Sequence, residues 1–340
     1  MSEILLAKPK LPEGWIDVSV GEAHVVREAL LKNFPDATDL SHGLPTAPRM
    51  HEYPLPTGYQ PLVEFLQSKY DAPVIITNGA KQALGASFYA LKRMGRGVMG
   101  MRTPYWALIP PLAKMHGIEC VDLHKDRWDG CLSLSPNNPD GFMEDLRVLH
   151  RECQRQNIPL IHDAAYYTHS YLPRHVELKA YGDVQIYSVS KMLGLSGLRL
   201  GYAVCPNREF YRYMQEYMEA MTVGVSVLPQ IFLNGLFRTM DYQPKLTEQF
   251  EDDAANALFA SKRIMTQVDP EVLEVPDNLV HTPGMFGWFK VGPKCDFTKA
   301  RINAIDGALF GVPGMVRMNL AFDQKQMTEI VERLNSVKGG

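Results

Sequence analysis

Short apolar runs alternate with amphipathic stretches between residues 70 and 205, and this alternation constrains the fold more than any other feature of the chain. The runs predicted as strands are 73–77, 97–101, 118–123, 131–135, 158–163, 184–189 and 198–204. The stretches predicted as helices are 79–94, 106–116 and 143–156. Because strands that alternate with helices usually form parallel sheets, we expect an α/β fold with a mainly parallel seven-stranded sheet and helices on both faces.

The pattern changes after Pro206. Helical stretches, two strand-like segments and a last helix follow, over 207–222, 249–266, 287–292, 316–322 and 325–337. This order predicts a smaller α+β domain in the C-terminal part of the chain. The domain boundaries that we predict are an N-terminal segment packing on the small domain (1–45), a large domain (46–225) and the small C-terminal domain (226–340).

The charge and the hydropathy of the chain exclude two broad classes of function. The 340 residues carry a net charge of -3 and give a pI of about 6.4, so no general positive field attracts nucleic acid or an acidic membrane. No apolar stretch reaches the roughly 18 residues of a membrane span, and the first residues have too short an apolar run for a signal peptide. We therefore predict a cytoplasmic protein with no membrane partner and no general nucleic-acid binding.

Neither the cysteines nor the histidines are spaced like metal ligands. The five cysteines are scattered without a C-x-x-C pair, which favours reduced thiols, at positions 120, 131, 153, 205 and 295. His162, His169 and His175 lack accompanying carboxylates, and we interpret them as loop residues. The sequence predicts no metal site.

Gly95, Gly97 and Gly100 match the pattern G-x-G-x-x-G, which often marks a dinucleotide site. Such a fingerprint must follow a strand and open a helix. These glycines instead follow a predicted helix and lead into a predicted strand, so we interpret them as a turn.

The stretch SVSKMLGLSGLRLGY (188–202) places Lys191 and Arg199 among serines and glycines. Small residues of this kind let backbone N–H groups and hydroxyls approach a bound anion. In NGAKQAL (78–84) a strand ends and a helix begins, so free N–H groups and the positive end of a helix dipole point at one spot. This second stretch indicates a phosphate site, with an ordinary strand-to-helix turn as the alternative.

Polar and aromatic side chains follow three other predicted strands. Asp163 ends one strand and Tyr166 comes shortly after it, while Asn138 lies in the loop SPNNPDG and Tyr105 and Trp106 follow a third strand. The carboxyl ends of parallel strands are where α/β sheets bind ligands. A helix cap is the alternative role of Asp163.

The order of these motifs resembles the fold type I pyridoxal-phosphate enzymes, specifically the class I/II aminotransferases that include the aspartate and histidinol-phosphate aminotransferases. The resemblance runs from about residue 40 to the C-terminus, and S-x-S-K-x-x-G-L-x-G-L-R-x-G-Y is its most specific part. It implies that Lys191 holds the aldehyde of pyridoxal 5′-phosphate (PLP) as a Schiff base and that 46–225 is the PLP-binding domain. It also implies that Lys191, Asp163 and Tyr166 are the catalytic residues.

The other cofactor contacts follow from the same resemblance. Asp163 would pair with the pyridine nitrogen, Asn138 and Tyr166 would bind the phenolic oxygen, and Trp106, or alternatively Tyr105, would stack on the ring. The residues implied for the phosphate are Arg199, Ser188, Ser190 and the backbone of Gly79, Ala80 and Lys81.

Three residues outside the predicted sheet complete the implied site. Tyr53 corresponds to a tyrosine that reaches the phosphate in the other subunit of a dimer, and Arg317 to an arginine that binds the substrate α-carboxylate as a planar, bidentate donor. Gly43 and Asn138 are the further residues implied for the substrate. A surface position in a strand is the alternative for Arg317.

The resemblance therefore predicts a homodimeric aminotransferase with shared active sites, acting on an amino acid and a 2-oxo acid. A PLP-dependent decarboxylase or lyase is the first alternative, since the same electron sink serves whichever Cα bond is perpendicular to the ring. A non-catalytic effector-binding module is the second, and the presence of both Lys191 and Asp163 disfavours it. The segment GALFGVPGMVR before Arg317 is shorter than in most of the family, which leaves the substrate open.

Overall fold

The computed structural model describes residues 11–37, 53–124, 127–179 and 181–337. Its helices are α1 (His24–Asn33), α2 (Gln60–Tyr70), α3 (Ala80–Arg93), α4 (Ile109–Met115), α5 (Leu146–Arg155), α6 (Val189–Met192), α7 (Arg208–Thr222), α8 (Val227–Tyr242), α9 (Pro244–Met265), α10 (Phe297–Ala300) and α11 (Gln324–Ser336). Its strands are β1 (Ile16–Asp17), β2 (Val74–Thr77), β3 (Val98–Met101), β4 (Glu119–Asp122), β5 (Gly130–Leu134), β6 (Leu160–Asp163), β7 (Val184–Ser188), β8 (Gly201–Val204), β9 (Leu273–Glu274), β10 (Phe286–Val291), β11 (Ile302–Asn303), β12 (Ile305–Asp306) and β13 (Met315–Asn319).

Within these residues one seven-stranded sheet has the order β2-β8-β7-β6-β5-β3-β4. Its neighbouring strands are parallel except for β8, which runs antiparallel to β2 and to β7. Every residue of β2, β6 and β7 is buried, which explains why their sequences are continuous runs with little alternation. The predicted α/β class and the mainly parallel seven-stranded sheet are confirmed.

The strand β8 is shorter than the stretch predicted for it. Ser196–Leu198 form a 3-10 turn, and Arg199 has a left-handed backbone with φ of 52°. Pairing with β7 therefore begins only at Gly201, which lies opposite Ser188.

The C-terminal part of the chain forms a smaller antiparallel sheet in the order β12-β13-β10-β9, with α9 and α11 packed together beside it. The first elements of the chain join it: β1 pairs in parallel with β11, and α1 packs along α9. Asn33 donates a hydrogen bond of 2.8 Å to Asp253, which fixes the end of α1 to α9. The smaller antiparallel domain agrees with the predicted fold, whereas the domain boundaries stay a prediction.

The sequence pattern does not predict α8, and it places the start of α9 at 249 instead of Pro244. Both helices carry a proline in their first turn, where its missing N–H would have no partner inside the helix. Gly235 in the middle of α8 further weakens the helical signal.

Of the glycines of the G-x-G-x-x-G pattern, Gly95 and Gly97 lie in the turn between α3 and β3, and Gly100 lies within β3. His162 is a buried residue of β6, so its interpretation as a loop residue is wrong. All five cysteines are free thiols. Among the described residues, no helix is long and apolar enough to cross a membrane, and no three His, Cys, Asp or Glu side chains are grouped to hold a metal ion.

Candidate active site

A cavity of about 350 Å³ opens where the carboxyl ends of the central strands meet the smaller sheet. The residues that line it are Val20, Gly21, Glu22, Gly79, Ala80, Lys81, Trp106, Leu134, Asn138, Asp163, Ala165, Tyr166, Ser188, Ser190, Lys191, Ser196, Arg199, Phe286 and Arg317. Every site residue predicted from the sequence is among them except Tyr53 and Gly43. The structure thus brings together side chains that the sequence spreads over more than half of the chain.

Lys191 lies in α6, directly after β7. Its Nζ donates a hydrogen bond to the carbonyl oxygen of Gly21, and its own carbonyl oxygen accepts one of 2.8 Å from the hydroxyl of Tyr171. Burial, together with the nearby charges of Arg317 and Arg199, lowers the pKa of Lys191 to about 8. A lysine with this pKa is partly neutral near pH 8 and can act as a nucleophile or a base.

Asp163 is the last residue of β6 and is only 2% exposed. Its Oδ1 accepts a hydrogen bond of 3.1 Å from the backbone N–H of Ala165. Burial nevertheless raises the pKa of this carboxyl to about 7, because desolvation disfavours its charged form. A cationic group brought beside Asp163 would stabilise the carboxylate.

Arg199 and Lys81 form a positive end of the cavity at the start of α3. Gly79, which precedes α3, has φ of 74°, and a Cβ built on it would lie 3.1 Å from Nη2 of Arg199, so a side chain there would crowd the guanidinium. Burial and the charge of Arg199 lower the pKa of Lys81. Two cations beside the N–H groups of a helix start suit a phosphate group.

Asn138, Tyr166 and Arg317 are connected across the cavity. Asn138 donates to the Tyr166 hydroxyl over 3.5 Å and accepts a 3.1 Å hydrogen bond from Nη1 of Arg317. The guanidinium lies 4.2 Å from the ring centroid of Phe286, and Arg317 as a residue is only 4% exposed. The alternative of a surface position for Arg317 is therefore wrong, and burial lowers the pKa of this arginine to about 10.

The two adjacent aromatic residues after β3 separate. Trp106 lines the cavity, with Nζ of Lys81 at 5.8 Å from its ring centroid. Tyr105 instead lines a small neighbouring pocket with Arg102 and Phe142. Of the two, Trp106 is the one placed to stack on a ring in the cavity.

Tyr53 lies outside the cavity and is 88% exposed. Gly43 lies outside the described residues. The contribution of Tyr53 to the site of another subunit stays a prediction, and so do the roles assigned to the lining residues.

The sequence pattern misses the segment Val20–Glu22 and Phe286. Val20–Glu22 reaches the cavity because β1, just before it, pairs with β11. Phe286 begins β10 and lies opposite Asn319 in the smaller sheet. The local sequence offers one signal for this segment, Gly21 after the strand-like WIDVSV, but that signal does not indicate which part of the chain the segment packs against.

A sequence model of the family described as aminotransferase class I and II matches residues 22–334. The chain belongs to this family. Enzymes of this family depend on PLP, so the chain belongs to a family of PLP-dependent enzymes.

Two individual relatives share less than a third of their residues with this chain over the matched regions. Tryptophan aminotransferase-related protein 2 of Arabidopsis thaliana is 29% identical over 249 residues, which are 65% of this chain and 54% of that protein. The chain thus spans about half the length of this relative. A probable aspartate/prephenate aminotransferase of Aquifex aeolicus is 24% identical over 306 residues, 77% of this chain and 74% of that protein.

Among solved structures, an aspartate aminotransferase of Thermotoga maritima superposes with a TM-score of 0.75 at 18% identity. The superposition covers 96% of this chain and 93% of that one. At this identity the likeness concerns the fold alone, and it agrees with the fold type I architecture described above.

The residues that line the cavity fit PLP. Arg199 and Lys81 offer a cationic end for the phosphate. Asp163 offers a desolvated carboxylate for the pyridine nitrogen, and Lys191 offers an amine of lowered pKa for the aldehyde. All of them belong to elements at one edge of the central sheet.

Proposed function

We propose that this aminotransferase moves an amino group between an α-amino acid and a 2-oxo acid, with Lys191 as the residue that binds the cofactor covalently. The observation that carries the proposal is that Lys191, Asp163 and Arg317 line one cavity. The amine of Lys191 would attach the cofactor covalently, the buried carboxylate of Asp163 would balance the charge of its ring, and the bidentate guanidinium of Arg317 would bind the substrate carboxylate.

PLP, when bound, supplies an electron sink for the bond at Cα that is broken. The remaining chemistry belongs to the chain. Lys191 would hold the cofactor aldehyde, and its Nζ, once free, would take up the proton from the substrate Cα and release it again; a pKa of about 8 suits both directions near neutral pH. Asp163, which is buried, would pair with the pyridine nitrogen and keep that nitrogen protonated.

Arg317 would orient the substrate through its α-carboxylate. It is held in place by Asn138 and by the carbonyl oxygen of Ser19, and Phe286 covers one face of the guanidinium. Because two parallel N–H donors fix the plane of a carboxylate, this contact also sets which Cα bond faces Lys191.

The first experiment is a single half-reaction. The holoenzyme is mixed with individual amino acids, beginning with tryptophan and aspartate because the relatives carry these names. We expect a 2-oxo acid and the aminated cofactor in equal amounts, without carbon dioxide. Release of carbon dioxide would instead support a decarboxylase, and loss of a side-chain substituent a lyase.

The covalent assignment has its own test. The purified protein should be yellow, and reduction with borohydride should attach the cofactor to Lys191, as located by peptide mapping. Lys81, the other lysine in the cavity, is the internal control and should stay unmodified. An adduct on Lys81 would overturn the assignment.

We also propose a homodimer in which Tyr53 serves the partner's site. Two features support this. Tyr53, Leu55, Met221 and Val223 are all exposed, and the two stretches that carry them approach each other, since a Cβ on Gly224 would lie 2.7 Å from the carbonyl oxygen of Leu55. A patch of this kind is typical of a subunit interface. A cytoplasmic location is likewise part of the proposal, and the free thiols favour it.

A further inference from the structure

Four consecutive carbonyl oxygens, those of Ser19–Glu22, each accept a hydrogen bond from a side chain. We call this segment the strap. The donors, in the order of the carbonyls, are Arg317, Asn319, Lys191 and Asn319. The strap is therefore fixed by side chains of the site and by one residue, Asn319, that does not line the cavity.

Asn319 is fully buried at the end of β13. Its Nδ2 donates to Val20 over 2.9 Å and to Glu22 over 2.8 Å, and its Oδ1 accepts from the N–H of Ala321 over 3.0 Å. All hydrogen-bonding groups of the side-chain amide except one lone pair are used, so its orientation is determined. An amide is the shortest side chain that can donate twice and accept once in this arrangement.

The strap leaves little free space beside the reactive lysine. A Cβ built on Gly21 would lie 3.2 Å from Nζ of Lys191 and 3.0 Å from Cζ of Phe286. Phe286 in turn packs on the guanidinium of Arg317. A displacement of the strap would therefore reach the lysine directly, and the arginine through Phe286 and through the carbonyl oxygen of Ser19.

We propose that Asn319 is a positioning residue, which acts through the strap on Lys191 and Arg317 and so determines how firmly a substrate carboxylate is held. The part that concerns the substrate rests on the proposed function. The part that concerns Lys191 does not, and the two are tested separately.

The variants are Asn319→Ala and the more conservative Asn319→Ser, with Asn303→Ala as the matched control. Asn303 donates to side-chain atoms of the same region, Oδ1 of Asp17 at 3.1 Å and Oγ of Ser19 at 3.0 Å, and to no carbonyl of the strap. Thermal unfolding of each variant establishes that it is folded before the comparison is made.

The first measurement uses cofactor-free protein and trinitrobenzenesulfonate, with the labelling rate of Lys191 followed by mass spectrometry. Without the two hydrogen bonds from Asn319, Gly21 of the strap should lie against Nζ of Lys191 for a smaller fraction of the time, so Nζ is more accessible to the reagent. Labelling should therefore become severalfold faster in both Asn319 variants but not in Asn303→Ala. Equal rates in all four proteins would overturn the inference, whether or not the enzyme transaminates.

The second measurement separates KM from kcat for the best amino acid of the half-reaction. Loss of two neutral hydrogen bonds should raise KM roughly tenfold in Asn319→Ala, with a smaller change in kcat. For an amine without a carboxylate the rate should change no more than kcat does, because such an amine gains nothing from Arg317. A KM equal to that of Asn303→Ala would overturn the role toward Arg317, whereas a wild type that converts no amino acid would overturn the proposed function.

Discussion

Asp163 is an acidic side chain in a buried position, and this combination lowers the stability of the folded, cofactor-free protein at neutral pH. Its pKa of about 7 lies well above the ordinary value of about 4, because burial disfavours the anion. Between these two values the folded chain binds more protons than the unfolded chain. The stability of the cofactor-free protein contributed by this group is therefore lost as the pH rises from about 4 to 7.

We expect Asp163→Asn to stabilise the cofactor-free protein above pH 7 by a few kcal/mol, about 1.4 kcal/mol for each unit of pKa difference. The gain should vanish near pH 4, where Asp163 is neutral in both states. Urea unfolding of the two proteins at pH 4, 6 and 8 measures it, and Asp145→Asn, at an exposed helix cap, is the control. A difference in the free energy of unfolding between wild type and Asp163→Asn that is the same at all three pH values would contradict the expectation. The same variant should turn over far more slowly when the cofactor is bound.

The geometry of Arg317 should matter for catalysis, and not only its charge. Arg317→Lys retains the charge but loses the bidentate geometry, so kcat/KM for amino acids should fall roughly ten- to a few hundredfold. An amine without a carboxylate should be almost unaffected, and it serves as the control substrate in a spectroscopic half-reaction. Equal losses for both compounds would mean that Arg317 acts on something other than the carboxylate.

At the scale of elements, α9 is joined to the segment before β10 by a buried lysine. Lys262 donates to the carbonyl oxygens of Thr282 and Gly284, and burial lowers its pKa to about 7. In the unfolded chain this lysine keeps its proton up to about pH 10.4. From about pH 7 to 10 the unfolded state binds the extra proton, and this group's contribution to stability rises with pH.

The stability of the wild type relative to Lys262→Met should therefore increase between pH 7 and 10, by a few kcal/mol at most. Denaturant unfolding of both proteins at three pH values in this range checks the trend. Lys299→Met, at a largely exposed side chain, should give no such trend. A difference independent of pH would show that Lys262 carries the same charge in both states.

Much of the central sheet could be predicted because its signals are local. Asp163 ends a strand that is continuous in sequence, and Lys191 and the start of α3 each follow such a strand; the topology then brings the strand ends together. The strap could not be predicted in this way, since its place depends on β1 pairing with β11 and on the amide of Asn319. The helix α8 was missed for a local reason, namely the proline and the glycine in its sequence.

At the scale of the whole molecule, the exposed Tyr53 supports a prediction about shared sites. Mixing Lys191→Ala with Tyr53→Phe should form hybrid dimers that contain one site with both changes and one with neither. The mixture should then exceed the activity of the Tyr53→Phe parent. Subunit exchange is verified with tagged chains, and a mixture of each variant with itself is the control. No gain despite proven exchange would mean that Tyr53 serves its own chain or contributes little.

Because β8 runs back along β7, the turn between them carries both Lys191 and Arg199. The residues proposed for the covalent and the ionic attachment of the cofactor thus belong to one hairpin of the large sheet, whereas Arg317 comes from a separate sheet built by the C-terminal part of the chain. On the proposed roles of these residues, retention of the cofactor and choice of the substrate would be encoded by different stretches of the gene. A change of substrate could then evolve through the small sheet while the chemistry of the hairpin is preserved.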